Sequence, residues 1–163
     1  MKAFPRRRPT GAPRPGVVLL FKPGVRADVR HEVRRLTDEL RGACPPTHRV
    51  LVTVVPHPAV EGTTGVFGFG IFHCPVRGRG PRAVVRIAVA AGLADLVVRH
   101  RGETRAQAVR DVAETFLHEW VHYEQWRAGR RLTERGVKVR ARNLYERFTP
   151  ANPATARGVR RAG

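Results

Sequence analysis

Within TFLHEWVHYEQW (115–126), His118 and His122 stand four residues apart with Glu119 beside the first. On a helix, residues at i and i+4 share one face about 6 Å apart along the axis. Two imidazoles so placed can converge on one Zn²⁺ at about 2.0–2.1 Å. A carboxylate at the next position lies beside the ion and is suited to take a proton from a water that the ion acidifies. At the chain's own histidine and glutamate frequencies, this H-E-x-x-H spacing would arise by accident about 0.02 times. The chemistry indicated is metal-assisted hydrolysis, with His118 and His122 as ligands and Glu119 as general base.

A catalytic zinc needs a third protein ligand and an open fourth position. The acids after the motif are Glu124, Glu134 and Glu146. Glu124, two residues past His122, is turned well off the metal face. If the next helix is counted back to Glu134, its apolar stripe lies about 50° from Glu134 and about 170° from Glu146, which favours Glu134 as ligand. Glu146, and His73 with Cys74 at the end of a glycine-rich segment, are the alternatives. Tyr123 and Tyr145 are candidate hydrogen-bond donors to a developing oxyanion. Trp120 reads as core, Trp126 and Gln125 as packing and helix-end groups, and His31, His48, His57 and His100 as surface or loop histidines.

These residues need a scaffold, and the chain alternates periods in a way that supplies one. VVLLF (17–21), RVLVTVV (49–55), VFGFGIFH (66–73) and AVVRIAVA (83–90) read as strands. The glycines of the third suit an edge strand, or one that another backbone approaches closely. Residues 26–40 carry Val29, Val33, Leu36 and Leu40 at helical spacing, with Gly42, Pro45 and Pro46 as stop signals. A longer helix is expected over 104–128, opened by a Thr104-x-x-Gln107 capping box and closed by Gly129. Its packing face should hold Ala106, Val109, Ala113, Phe116, Leu117 and Trp120. Val137, Ala141, Leu144 and Phe148 mark a last helix. The expected order is β-α-β-β-β-α-α, an α+β domain over 17–148 with a small mixed or antiparallel sheet packed on the motif helix.

TFLHEWVHYEQW followed by TERGVKVRARNL resembles the small gluzincin-type zinc metallopeptidases, over roughly 62–148. The resemblance implies a minimal zincin-like catalytic core binding Zn²⁺ through His118, His122 and Glu134. It also implies Glu119 as general base, a peptide or protein substrate, and a glycine-rich edge strand on which an extended peptide adds. Lys138 stands where that family usually has an acid, four residues past the ligand glutamate. Spartan-type proteases, which act on DNA-bound proteins, share the motif and a basic setting, but normally use a third histidine, and no histidine follows His122.

The formal charge is +18 over 163 residues. The ends, 1–16 and 149–163, hold eight of these charges with no acid, and their Pro, Gly and Ala content predicts disordered basic tails. Such a field attracts polyanions, nucleic acid foremost, so a noncatalytic nucleic-acid-binding protein is the reading from another class. An arginine-rich composition without a binding role is the plain alternative. The apolar blocks are too short to span a membrane, and no export signal precedes them, so the expected setting is cytoplasmic. Cys44 and Cys74 are then expected as free thiols.

Overall fold

In a computed structural model, the chain is described for residues 14–149 apart from 63, 64, 66, 76, 77, 79, 81 and 82. The expected basic tails lie almost wholly outside the described residues. Strand β1 (Gly16–Phe21) leads through helix α1 (Ala27–Ala43) to β2 (Arg49–Val55), and β1 and β2 pair in parallel with Val17 opposite Val50. Short strands β3 (Val60–Glu61) and β4 (Phe67–Gly68) pair with one another, and β5 (Gly70–His73) and β6 (Val84–Ala90) follow. Helices α2 (Leu93–Arg101), α3 (Arg105–Arg127) and α4 (Val137–Phe148) complete the order. The main sheet runs β1-β2-β6-β5, parallel except for β5, which is antiparallel to β6. Among the described residues the fold is thus α+β, with four helices and a small mixed sheet.

Alternation decides which face of the sheet the helices cover. Val50, Val52 and Val54 of β2 and Val85, Ile87 and Val89 of β6 are fully buried. Period-two burial of β-branched residues sets the register against α1, whose Val29, Val33, Leu36 and Leu40 close the same layer. On the other face Val18, Leu20 and Arg86 are exposed. Helix α1 runs through Gly42 to Ala43, one turn beyond the expected end. A glycine costs a helix interior only about 1 kcal/mol, whereas Pro45 bars Cys44 from helical geometry.

The glycine-rich segment is the sheet's edge strand, as its composition indicated, but it is broken at Phe69 into β4 and β5. Its close approach to α3 falls at one residue. A Cβ on Gly70 would lie 2.8 Å from both Cγ and Oε1 of Glu119 and 2.8 Å from Thr115 Cγ2. Helix α2 was not anticipated. Leu93, Ala94 and Val97 form its inner side and Gly102, left-handed at φ 65°, ends it.

Helix α3 begins as expected, with the Thr104 hydroxyl accepting from the Gln107 amide at 3.2 Å. The Gln107 side chain does not return to close the box, because it donates to Asp111 instead. The packing face is rotated from the expected one: Ala106 is exposed and Val109 half-buried, whereas Ala108 and Val112 are fully buried. Contacts with both α2 and the sheet widen the buried face towards Ala108. Among the described residues no helix is long and apolar enough to cross a membrane. Cys44 is a half-buried free thiol, and Cys74 is exposed.

Candidate metal centre

Successive turns of α3 present His118 half-buried and His122 buried on one side, as the i,i+4 spacing requires. Their Nε2 atoms lie 3.2 Å apart. Glu134 reaches the same point, with Oε1 3.1 Å from His122 Nε2 and Oε2 3.1 Å from His118 Nε2. Among the described residues, these three form the group whose ligand atoms all lie within 4.8 Å of one another. Ligands about 2.0–2.1 Å from a tetrahedral zinc are separated by about 3.3 Å. The observed spacings therefore fit such an ion with little adjustment.

The support of Glu134 differs from the expectation. The rotation count placed it on the last helix, but α4 starts only at Val137, because Gly136 at φ 75° interrupts the chain before it. Glu134 stands in the connection between α3 and α4, and its side chain is 74% exposed. A helix register therefore does not orient it. Gln125 does much of that work. Its Oε1 lies 3.2 Å from His122 Nδ1 and accepts from the Thr133 amide at 3.2 Å, while its Nε2 donates to the Thr133 carbonyl at 3.1 Å. With Nδ1–H of His122 directed at this oxygen, the Nε2 lone pair is left free for a metal. One buried amide thus fixes a ligand ring and the backbone next to a ligand carboxylate. The packing role read from the sequence understated it; a glutamine three residues past a ligand histidine, one helical turn on, was the available signal.

Glu119 is buried at the back of the cleft beneath β5. Burial raises its carboxyl pKa to about 7, with the charge of Glu134 adding to the rise and a hydrogen bond from the Phe72 backbone opposing it. Burial also lowers the pKa of His118, and the nearby charges of His122 and Lys138 act in the same direction, against the pull of Glu134. The neutral imidazole, the form a metal needs, is favoured.

The alternative ligands are placed elsewhere. Glu146 is exposed and 3.6 Å from Arg110, and Glu124 pairs with Arg140 at 3.1 Å. His73, at the end of β5, stands in register with Arg86, and Cys74 is exposed; neither belongs to the group. The two tyrosines do not face the cleft. Tyr123 is fully buried and its hydroxyl accepts from the Thr47 amide at 3.1 Å, while Tyr145 makes hydrogen bonds with Glu32 and Thr149. Trp120 is core, and Trp126 packs on Phe72 and on His48, which is buried rather than on the surface.

The cleft itself is a cavity of about 460 Å³ running from Thr115, His118 and Glu119 to α2 and α4. No family model matches the chain, and no curated protein or solved structure does so either.

Proposed function

We propose that the chain is a zinc-dependent metallopeptidase of zincin type, with His118, His122 and Glu134 holding the ion and Glu119 as the general base. The observation that carries this reading is the meeting of three ligand atoms at 3.1–3.2 Å spacing beside a buried carboxyl that binds nothing else in the group. When bound, the ion would supply Lewis acidity and bring a water within reach of deprotonation near neutral pH. Glu119, buried beside the group, would take that proton and return it to the departing amine. Gln125 keeps His122 in the ligating tautomer. A structural zinc is closed by four protein ligands, so a group of three among the described residues supports a catalytic site.

Strand β5 supports a peptide as substrate. It pairs with β6 and ends the sheet, so an extended chain can add to its other edge, above Glu119 and His118. The charge of +18 supports a second, compatible property, association with nucleic acid, which would place the protease reading near the Spartan-type one.

The test is Glu119→Gln. The variant is expected to bind zinc as the parent does, measured by chelator competition, and to lose about 10²–10⁴-fold in peptide hydrolysis. Hydrolysis at the parental rate would overturn the mechanism, and a parent that binds no zinc would overturn the whole reading.

A further inference from the structure

We infer that the cleft selects an acidic polypeptide segment, one that seats an apolar side chain against α2 and sets carboxylates against a cationic rim. This rests on the peptidase reading and names its substrate class. One wall is made by Phe69, Leu93, Leu96 and Val97. Phe69 is 50% exposed and Leu96 40% exposed. Apolar surface held open in a concave site beside polar groups is the usual make-up of a ligand pocket, and covering it returns water to bulk.

The same cavity is lined by Arg101 at the end of α2 and by Lys138 and Arg142 of α4, all exposed. Among the described residues none of these three forms an ion pair, while of the acids that line the same cavity, Asp111, Glu114 and Glu119, Glu114 is already paired with a cation. Asp111 accepts from Gln107, and Glu114 pairs with Arg110 at 2.7 Å. Elsewhere in the helical layer Arg35, Arg41, Arg105 and Arg140 have acid partners. Unpaired positive charge therefore lies where a substrate would enter. A cleft focuses such a field, so it draws in anionic segments and turns away cationic ones. Lys138 lines the same cavity as His118 and Glu119. The apolar wall suits an aliphatic side chain of a polypeptide.

The experiment uses the full-length, zinc-loaded Glu119→Gln protein, so that binding is read without cleavage. Three labelled nonapeptides of one length are compared by fluorescence anisotropy: a central Leu flanked by Asp, a central Ser flanked by Asp, and a central Leu flanked by Lys. The Leu–Asp peptide is expected to bind at least about tenfold more tightly than either of the others, a factor within what one side chain or a few charges can supply. Lys138→Glu with Arg142→Glu should abolish the preference for Asp over Lys, and Leu96→Asp the preference for Leu over Ser. The milder Lys138→Ala with Arg142→Ala should shift the first in the same direction if the reversal unfolds the chain. Arg86→Glu, on the exposed side of β6 away from the helices, should change neither. Equal binding of the Asp and Lys peptides, or an Arg86 effect equal to the cleft effect, would overturn the inference. So would an oligonucleotide that loses affinity in the cleft variants and is not displaced by the acidic peptide. Repeating the series without zinc, and assaying hydrolysis by the parent, separates the two claims. Acidic-peptide binding without hydrolysis sinks the peptidase reading alone, and hydrolysis indifferent to acid sinks the substrate class alone.

Discussion

Gln125 and Gly70 show how much of the candidate centre depends on residues that are neither ligand nor base. Replacing Gln125 with Leu removes the acceptor for His122 Nδ1 and both bonds to Thr133 while keeping the volume. Zinc affinity is expected to fall about 10–100-fold, the usual cost of losing a group that orients a metal-bound histidine. Chelator competition measures it, and an unchanged affinity would show that the amide orients nothing. Gly70 acts by what it lacks. With no room for a Cβ against Glu119 and Thr115, Gly70→Ala must push β5 or the carboxylate aside. Hydrolysis is expected to drop at least tenfold with zinc affinity nearly preserved, a split that separates displacement of the base from loss of the site. His118, Glu119 and His122 could be placed from sequence because helical periodicity is local. Glu134 was identified as a residue but not in its setting, since the bond from Gln125 to Thr133 joins positions whose proximity no periodicity encodes. His48 lies in the loop before β2, within the reading, but its burial was not legible for the same reason: it comes from Trp126 and Tyr123, far along the chain.

At the scale of elements, the strands and the two long helices followed from alternation and from stop signals, while α2 did not. Its nine residues bury only Leu93, Ala94 and Val97, too little to stand out in a segment that also reads as a connection. Its placement is nevertheless secured by charge. Arg105, at the start of α3, bonds Asp28 at the start of α1 and Asp95 in α2, so one guanidinium joins three helices. The hydrogen bond from Arg105 is the main cause holding the Asp28 carboxyl at about 2, below the usual carboxylate range. A depressed carboxylate contributes stability above the unfolded pKa and loses it as pH falls through the folded one. The contribution should therefore be complete above about pH 4 and lost towards pH 2. Because Asp28 is largely solvated, it amounts to less than about 1 kcal/mol. Asp28→Asn should remove that part of the acid sensitivity; denaturant unfolding at pH 2 to 6 measures it, and parallel pH curves for parent and variant would exclude the role.

For the whole molecule the dominant quantity is charge. The sheet's open face carries Arg49 and Arg86, α4 carries Lys138, Arg140, Arg142 and Arg147, and the terminal stretches add eight more cations without an acid. Binding to a duplex oligonucleotide is expected to weaken linearly in log affinity against log salt, and to weaken further when 1–13 and 150–163 are removed. Filter binding or anisotropy across a salt series measures both, and salt-independent or absent binding would leave the charge without a polyanionic partner.

The position of Glu134 on a connection rather than a helix has a thermodynamic consequence. A metal joining it to His122 closes a ring of chain only twelve residues around, with Gln125 as an internal strut. Ordering that ring and capturing the ion become one equilibrium, so affinity for the ion is set by how stiff the connection already is. Lengthening the turn by a few residues, without altering a single ligand, would then be enough to make the protein give up its metal sooner.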